Sequence, residues 1–340
     1  MIRVAINGFG RIGRTFFRLA YGNPNFEIVA VNDLGDPANL AYLLEYDSVY
    51  GRSPFSVEVK DSSLLIQGKP VTIVQERDPA KLPWGQMGID LVVESTGLFT
   101  SYESAKAHLV AGAKRVVVSA PVKGDPAAAG VSGATVLMGV NEGQLDTCQI
   151  SSNASCTTNA TSPLIAILKE AIGIDKAVLN TVHAYTASQS LVDAPKKDFR
   201  EGRAAALNIV PSTTGAAIAT TLAHTELTNK FDGISMRVPV PVGSIVDVTF
   251  IASRNTTVEE VNNALINAAK ESRWKNLFAV TSEQVVSTDI IGSRVGSIAD
   301  LSFTKVVDGN LVKVLAWYDN ETSYTQTLVE HVVAIAKRLA

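Results

Sequence analysis

Through roughly the first 150 residues, short runs rich in Val, Ile and Ala alternate with longer stretches whose apolar residues recur at helical spacing. The short runs predict strands at 3–7, 27–32, 91–95, 115–119 and 136–140, and the longer ones predict helices at 11–21 and 102–111. Continuously apolar strands separated by helices point to a parallel sheet covered on both faces, a doubly wound α/β domain. Residues 63–76, with the turn Gln67-Gly68-Lys69-Pro70, read as an antiparallel excursion. Beyond residue 150 the strand-like runs 245–251, 301–306 and 311–317 lengthen and suit a mostly antiparallel sheet. Helical stretches at 163–171, 212–222 and 258–271 would cover it, giving an α+β domain. The end of the chain is again an amphipathic helix, with Leu328, Val332, Val333 and Ile335 near one face.

At 340 residues the chain exceeds what one core usually fills, so two domains are expected, at 1–155 and 156–321, with the terminal helix 322–340 completing the first. A composition 46% hydrophobic and 19% charged is that of an ordinary globular chain, and a net charge of -3 offers no field to draw nucleic acid. The first residues run straight into a strand, with no cationic, apolar and small-residue leader. No apolar run approaches the ~20 residues of a spanning helix. The two cysteines, Cys148 and Cys156, argue against a disulfide framework and for the reducing cytoplasm. No membrane, nucleic-acid or metal association is expected.

Composition says little about chemistry; two local segments say more. Gly8, Gly10 and Gly13 form G-x-G-x-x-G between a strand and a helix, enclosing Arg11 and Ile12, and Asp33 follows at the end of the next strand. The first glycine turns tightly, the second admits a pyrophosphate to the backbone, and the third lets helix meet strand. The helix start offers free N–H donors to phosphate. An acidic residue at 33 accepts from a ribose 2′-hydroxyl and repels a 2′-phosphate, which selects NAD. A glycine-rich turn that binds no nucleotide is the plainer alternative. Arg77, in a charged loop, reads as solvated or as a contact on the adenine side.

In the second segment, Ser155 can cap a helix and so place Cys156 in its first turn, where N–H groups and dipole favour thiolate. Spacing alone leaves a buried structural cysteine equally open, the role assigned to Cys148. Of four histidines, His108 and His331 fall in helical patterns and read as surface or packing residues, and His224 as structural. His183 ends an apolar strand and opens a polar segment, which makes it the candidate base.

The segments RVAINGFGRIGR from Arg3, ESTG from Glu94, SAPVK from Ser119, SNASCTTN from Ser152, HAYT from His183, NIVPSTTGAA from Asn208 and WYDNE from Trp317 occur in order along the chain. By these the sequence resembles the glyceraldehyde-3-phosphate dehydrogenases over essentially its whole length. The resemblance implies a Rossmann-like NAD domain and a catalytic domain with an S-shaped loop at about 187–207. It implies that Cys156 forms a thiohemiacetal and then a thioester, with His183 as base, and that inorganic phosphate releases 1,3-bisphosphoglycerate. It places the substrate phosphate on Thr186 and Arg237. The attacking phosphate falls to Ser155, Thr157, Thr214 and Gly215, and Arg203 joins the phosphate-binding set. Cofactor contacts extend to Thr96, Gly97, Ser119, Arg77, Asn320 and Tyr324. Pro195 stands where NAD-specific members carry proline, and the S-shaped loop implies a homotetramer. Ala160 replaces a second cysteine found in many members, and Thr322-Ser323 departs from the usual Trp-Gly after WYDNE. An erythrose-4-phosphate dehydrogenase, or an NAD-binding sensor without catalysis, are the competing readings.

Overall fold

The computed structural model describes residues 1–339, which divide into two compact units, Met1–Ala154 with the segment from Leu328 onward, and Ser155–Thr327. The first holds a nine-stranded sheet in the order Gly133–Thr135, Ile150–Ser152, Arg115–Val118, Leu91–Glu94, Ile2–Asn7, Phe26–Asn32, Lys69–Val74, Ser63–Ile66, Val57–Lys60. Pairing is parallel as far as Lys69–Val74 and antiparallel for the last two strands. Alternation along the central strands explains why both faces are covered. Val4, Ile6, Val31 and Val93 join Phe16, Phe17, Leu328, Val332 and Ile335 in one core, whereas Ala5, Ala30 and Val92 join Leu82, Trp84 and Ile89 in another. Strands apolar on both sides can exist only between two layers.

Helix Arg11–Ala20 begins directly after Gly10 with no side-chain cap and no acidic residue in its first turn, a helix start whose dipole suits an anion. Two expectations are corrected here. Residues 136–140 are not a strand, because Asn141 Oδ1 accepts from Leu137 N–H at 2.7 Å and pulls the chain into a turn after Gly133–Thr135. The stretch 102–111 is two single turns, Tyr102–Ala105 and Ala107–Val110, with Lys106 between them donating its Nζ to Ala129 O.

In the second unit the sheet order is Val210–Thr213, Phe231–Val238, Lys176–Ala184, Ser244–Ile251, Leu311–Tyr318, Ser297–Val307, Phe278–Thr281. Two pairs are parallel and the rest antiparallel. Helix Cys156–Ile172 lies over this sheet, buried along nearly its whole length, and carries Pro163 within it. The helix therefore begins seven residues before the start its apolar periodicity suggested, because Thr157, Thr158 and Asn159 hide the pattern in small polar side chains that are themselves buried. Residues 210–213 form an edge strand, where Pro211 is tolerated, and the following helix is only Ala216–Thr221. Helix Val258–Ala268 yields to a 3₁₀ turn, Ser272–Trp274. The terminal helix Thr322–Leu339 starts where Asp319 Oδ1 accepts from Glu321 and Thr322 N–H, both at 2.8 Å. Among the described residues no helix is long and apolar enough to cross a membrane, and no cluster of residues suits a metal ion.

Candidate active site

Cys156 is the first residue of its helix. The Ser155 hydroxyl accepts from Thr158 N–H at 3.2 Å, the capping that the sequence suggested. Immediately before it Ala154, fully buried, adopts φ 54°, a left-handed conformation unusual for a residue with a Cβ. That reversal turns the chain from the strand Ile150–Ser152 into the helix.

The parallel pairing of Lys176–Ala184 with Phe231–Val238 sets His183 beside Arg237 in register. His183 Nε2 lies 3.3 Å from Cys156 Sγ. Its Nδ1 lies 2.6 Å from Ala184 O and 2.5 Å from Arg237 Nη1. These two neighbours demand opposite tautomers. A proton on Nδ1 serves the carbonyl and leaves Nε2 free to accept, whereas the guanidinium can only donate and needs a bare Nδ1. Burial, and then the Arg237 charge, hold the imidazole down to about 3, so the ring is neutral at ordinary pH.

The thiol departs from the reading drawn from its helix position. Although partly accessible at the surface, Cys156 is densely surrounded, and this desolvation pushes the thiol up. Arg237, the Thr157 hydroxyl and local N–H groups pull it the other way without overcoming burial. The helix start favours the thiolate and burial opposes it, so the two act on the sulfur in opposite directions.

Sequence reasoning missed Tyr318, the last residue of the strand Leu311–Tyr318. It is wholly buried, its ring stands edge-on to His183 at 5.9 Å between centroids, and its hydroxyl bonds Thr157 Oγ1 and Thr181 Oγ1, each at 2.9 Å. Only its place in the WYDNE segment marked it, and nothing there distinguishes it from a core aromatic.

Cys156, Thr157, His183 and Arg237 thus form one bonded cluster. The remaining residues of the proposed phosphate sites are bonded elsewhere. The Thr186 hydroxyl meets Ser188 Oγ at 3.1 Å, Thr214 Oγ1 accepts from Ala216 N–H at 3.2 Å, and Gly215 caps the short helix. Arg203 pairs through Nε with Asp193 at 2.9 Å, inside its own loop. Asn320 Oδ1 accepts from Gly243 N–H and Ser244 Oγ, both at 3.1 Å, which leaves its NH₂ side as what it can offer a ligand. Tyr324 is buried in the first turn of the terminal helix.

In the first unit a cavity of about 290 Å³ opens at the carboxyl ends of the central strands, lined by Gly8, Gly10, Asp33, Leu34, Arg77 and Thr96 together with Asn7, Asn32 and Phe99. Its residues fit a dinucleotide. A Cβ on Gly13 would stand 2.1 Å from Gly8 O, and one on Gly8, at φ +93°, 2.6 Å from Thr96 N; a Cβ on Gly10 would meet nothing within 4 Å. Two glycines are therefore required by the turn, and the third leaves open space at the helix start where a pyrophosphate would lie. Asp33 Oδ2 accepts from Phe9 N–H at 2.7 Å and Oδ1 from Gly35 N–H at 2.9 Å. Arg11 turns away to Asp47 at 3.0 Å, and Ile12 packs on the core. Gly97 takes φ +73°, and Ser119 N–H bonds Glu94 O.

Behind the cavity runs a buried polar network that the sequence did not reveal. Asn32 Nδ2 donates to Asn7 Oδ1, Asn7 Nδ2 donates to Glu94 Oε2, and His108 Nε2 lies 2.9 Å from the same oxygen. Trp84 Nε1, which can only donate, reaches His108 Nδ1 at 3.1 Å and thereby puts the histidine's proton on Nε2, toward Glu94. His331 bridges Ser151 and Asn153. Neither histidine is at the surface: both are completely buried. His224, bonded to Ser162, is buried too, and Cys148 is a free buried thiol.

Two family models match this chain. The one described as glyceraldehyde 3-phosphate dehydrogenase, NAD binding domain, covers residues 2–102, and the one described as glyceraldehyde 3-phosphate dehydrogenase, C-terminal domain, covers residues 155–320. Among relatives, a glyceraldehyde-3-phosphate dehydrogenase of Geobacillus stearothermophilus is 48% identical over 339 residues, and one of Streptomyces coelicolor is 46% identical over 341. A Bacillus subtilis protein named glyceraldehyde-3-phosphate dehydrogenase 1 is 46% identical. Each alignment covers 99% of both chains.

Proposed function

Because this chain belongs to the glyceraldehyde-3-phosphate dehydrogenase family, we propose that it is the NAD-dependent enzyme oxidising glyceraldehyde 3-phosphate, with Cys156 as nucleophile and His183 as base. The observation that carries the assignment of roles is the 3.3 Å approach of His183 Nε2 to Cys156 Sγ at a capped helix start. NAD, when bound, supplies the two-electron hydride acceptor; the glycine turn and Asp33 are the residues that would hold it.

The chain's own groups account for the proton and the acyl carbon. Sγ attacks the aldehyde carbon and Nε2 takes a proton, which requires the Nδ1–H···O=C bond to Ala184. Loss of hydride from the thiohemiacetal leaves a thioester on Cys156. An oxygen of inorganic phosphate then adds to that carbon, the C–S bond breaks, and the acyl phosphate 1,3-bisphosphoglycerate leaves with the thiol restored. Arg237, with Thr186, suits the substrate phosphate, since a guanidinium fork and a hydroxyl match its oxygens. Ser155, Thr157, Thr214 and Gly215, with Arg203, form the site for the attacking phosphate. Asn320 and Tyr324 serve the nicotinamide end.

The enzyme is a cytoplasmic homotetramer in this reading. Its support is the loop at about 187–207, which carries Leu191, Val192, Phe199 and Leu207 at 70–86% exposure, an apolar surface suited to a second copy of the chain, and two cysteines left as free thiols. NADH formation from glyceraldehyde 3-phosphate should depend on added inorganic phosphate and exceed that from erythrose 4-phosphate. Turnover indifferent to phosphate, or faster with the tetrose, would assign the chain to hydrolytic oxidation of the longer sugar instead. No turnover with either sugar would leave an NAD-binding protein without catalysis.

A further inference from the structure

Glu94 lies behind the cofactor cavity, 1% exposed, and its carboxyl group accepts four hydrogen bonds. Oε1 takes Thr96 N–H at 2.8 Å and the Thr96 hydroxyl at 2.5 Å, while Oε2 takes Asn7 Nδ2 at 2.6 Å and His108 Nε2–H at 2.9 Å. The bonds beyond these partners have a fixed polarity, because groups that cannot reverse stand at both ends. At one end the Trp84 indole only donates, to His108 Nδ1, which leaves the His108 hydrogen on Nε2. At the other, Asn32 Oδ1 accepts from Glu76 N–H and Asn32 Nδ2 donates to Glu76 O, both at 2.9 Å. The same Nδ2 gives its second hydrogen to Asn7 Oδ1, so Asn7 has only its NH₂ to turn toward Glu94. The Thr96 hydroxyl, having given its hydrogen to Glu94, accepts from Leu98 N–H at 3.0 Å.

What these bonds hold is the wall of the cavity. Asn7, Thr96 and Leu98 line it, as do Asn32, Glu76 and Arg77 at the far end of the two amides. Glu94, His108 and Trp84 do not line it and are too deeply buried to touch a ligand. For stability alone, a buried carboxyl group and imidazole are at best an even exchange for apolar packing. Their effect here is geometric: they set the end of the strand Ile2–Asn7, the loop after Glu94 and the segment Glu76-Arg77 at one mutual spacing. On the reading that this cavity holds NAD, we infer that Glu94 is a positioning residue for the adenosine half of the cofactor. The Trp84–His108 pair fixes its second oxygen, so the cavity walls are set before the cofactor arrives and binding does not have to order them.

The test is calorimetric titration of the full-length protein with NAD and with ADP-ribose, which carries the adenosine and pyrophosphate of NAD without the nicotinamide. In Glu94→Gln one carboxyl oxygen becomes NH₂. Turned toward Thr96 it meets an N–H, and turned the other way it meets Asn7 Nδ2 and His108 Nε2–H, so one wall loses its anchor in either orientation. Both ligands should bind about tenfold more weakly, and by the same factor. His108→Leu should weaken both about fivefold, whereas His108→Gln, which offers an acceptor to Trp84 and a donor to Glu94, should stay within about twofold of the wild type. Titrations are run at a temperature at which circular dichroism shows each variant fully folded, which separates affinity from stability. Wild-type affinity for ADP-ribose in Glu94→Gln, whatever its thermal midpoint, overturns the inference, as does equal loss in His108→Leu and His108→Gln. If Glu94→Gln does not fold, the two His108 variants decide alone. A wild-type protein that binds neither ligand would refute the NAD reading and the role of Glu94 together, whereas ADP-ribose bound equally well by wild type and Glu94→Gln refutes the role of Glu94 only.

Discussion

Arg237 Nη1 stands 2.5 Å from His183 Nδ1, on the nitrogen that has to carry a hydrogen if Nε2 is to take a proton from the sulfur side. The guanidinium therefore opposes the base as long as it remains there, and a phosphate that engages it works in favour of the base. With Arg237 holding the substrate phosphate as proposed, substrate recognition and base activation would meet in one side chain.

Replacing Arg237 by Gln should raise the His183 pKa from about 3 toward its ordinary value, though only part of the way, since burial is the larger cause. Ring ¹⁵N shifts followed over pH measure this. With two charge-assisted bonds gone, KM for glyceraldehyde 3-phosphate should rise at least about thirtyfold, while unphosphorylated glyceraldehyde is affected far less. Equal loss for both aldehydes would show that Arg237 does not hold the phosphate.

Cys156→Ser should lower turnover by more than about a thousandfold, because an alkoxide is far less accessible than a thiolate and a less suitable leaving group. The glycine turn belongs to the other compact unit, so NAD affinity, measured by calorimetry, should stay within about twofold. Retained oxidation in this variant would rule out a covalent thioester.

Asp33 does two jobs, and they can be separated. Asp33→Ala removes the acceptor for Phe9 N–H as well as the charge that repels a 2′-phosphate. NAD affinity should fall roughly tenfold or more, while relative use of NADP rises. Asp33→Asn keeps one acceptor oxygen and should show the shift toward NADP with much less loss of NAD. Identical behaviour of the two variants would locate discrimination elsewhere, Pro195 being the next candidate.

The glycines separate folding from binding. Gly10→Ala meets open space and should leave the thermal midpoint nearly unchanged, while NAD binding weakens by about tenfold or more. Gly13→Ala drives a methyl into Gly8 O and should cost on the order of 2–3 kcal/mol of stability. A Gly10→Ala variant that binds NAD normally would displace the pyrophosphate from that turn.

Three buried histidines make the fold sensitive to acid. His183 and His331 are held down to about 3 and His224 to about 4, each first by burial. Unfolded, each takes up a proton near pH 6.5, so between about 6.5 and 3–4 the unfolded chain binds more protons than the folded one. Stability contributed by the neutral rings is complete above pH 6.5 and declines as pH falls, by up to ~1.4 kcal/mol per pH unit for each histidine. The thermal midpoint should drop steadily from pH 6.5 to 4.5, and His331→Gln should flatten the slope. A midpoint constant over that range would contradict the burial of these rings as neutral species.

Much of this was legible in the amino-acid order, where local chemistry and long-range structure agree. The glycine turn, Asp33, the Ser155 cap and the parallel strands are read from neighbours in sequence, because each depends on backbone conformation nearby. The start of the helix at Cys156 was disguised by polar residues that burial later accepted, and residues 212–213 joined a strand edge because a partner strand, Phe231–Val238, was available. Tyr318, the Asn7–Glu94–His108 network and the opposition between Arg237 and His183 join residues far apart in sequence. No periodicity announces such pairs. The sulfur's acidity is of the same kind: the helix start speaks for the thiolate, but its many distant neighbours desolvate it.

Ala154 carries a different kind of information. A methyl-bearing residue at φ 54° costs about 1 kcal/mol that glycine in its place would not. Glycine, however, would also bring a wide choice of other conformations to the turn just ahead of the nucleophile. The alanine gives up some local ease and in return narrows the angles through which the sulfur can swing. Ala154→Gly would relax the backbone and loosen the aim, a trade in which a catalyst that must strike one carbon gains comfort and loses accuracy.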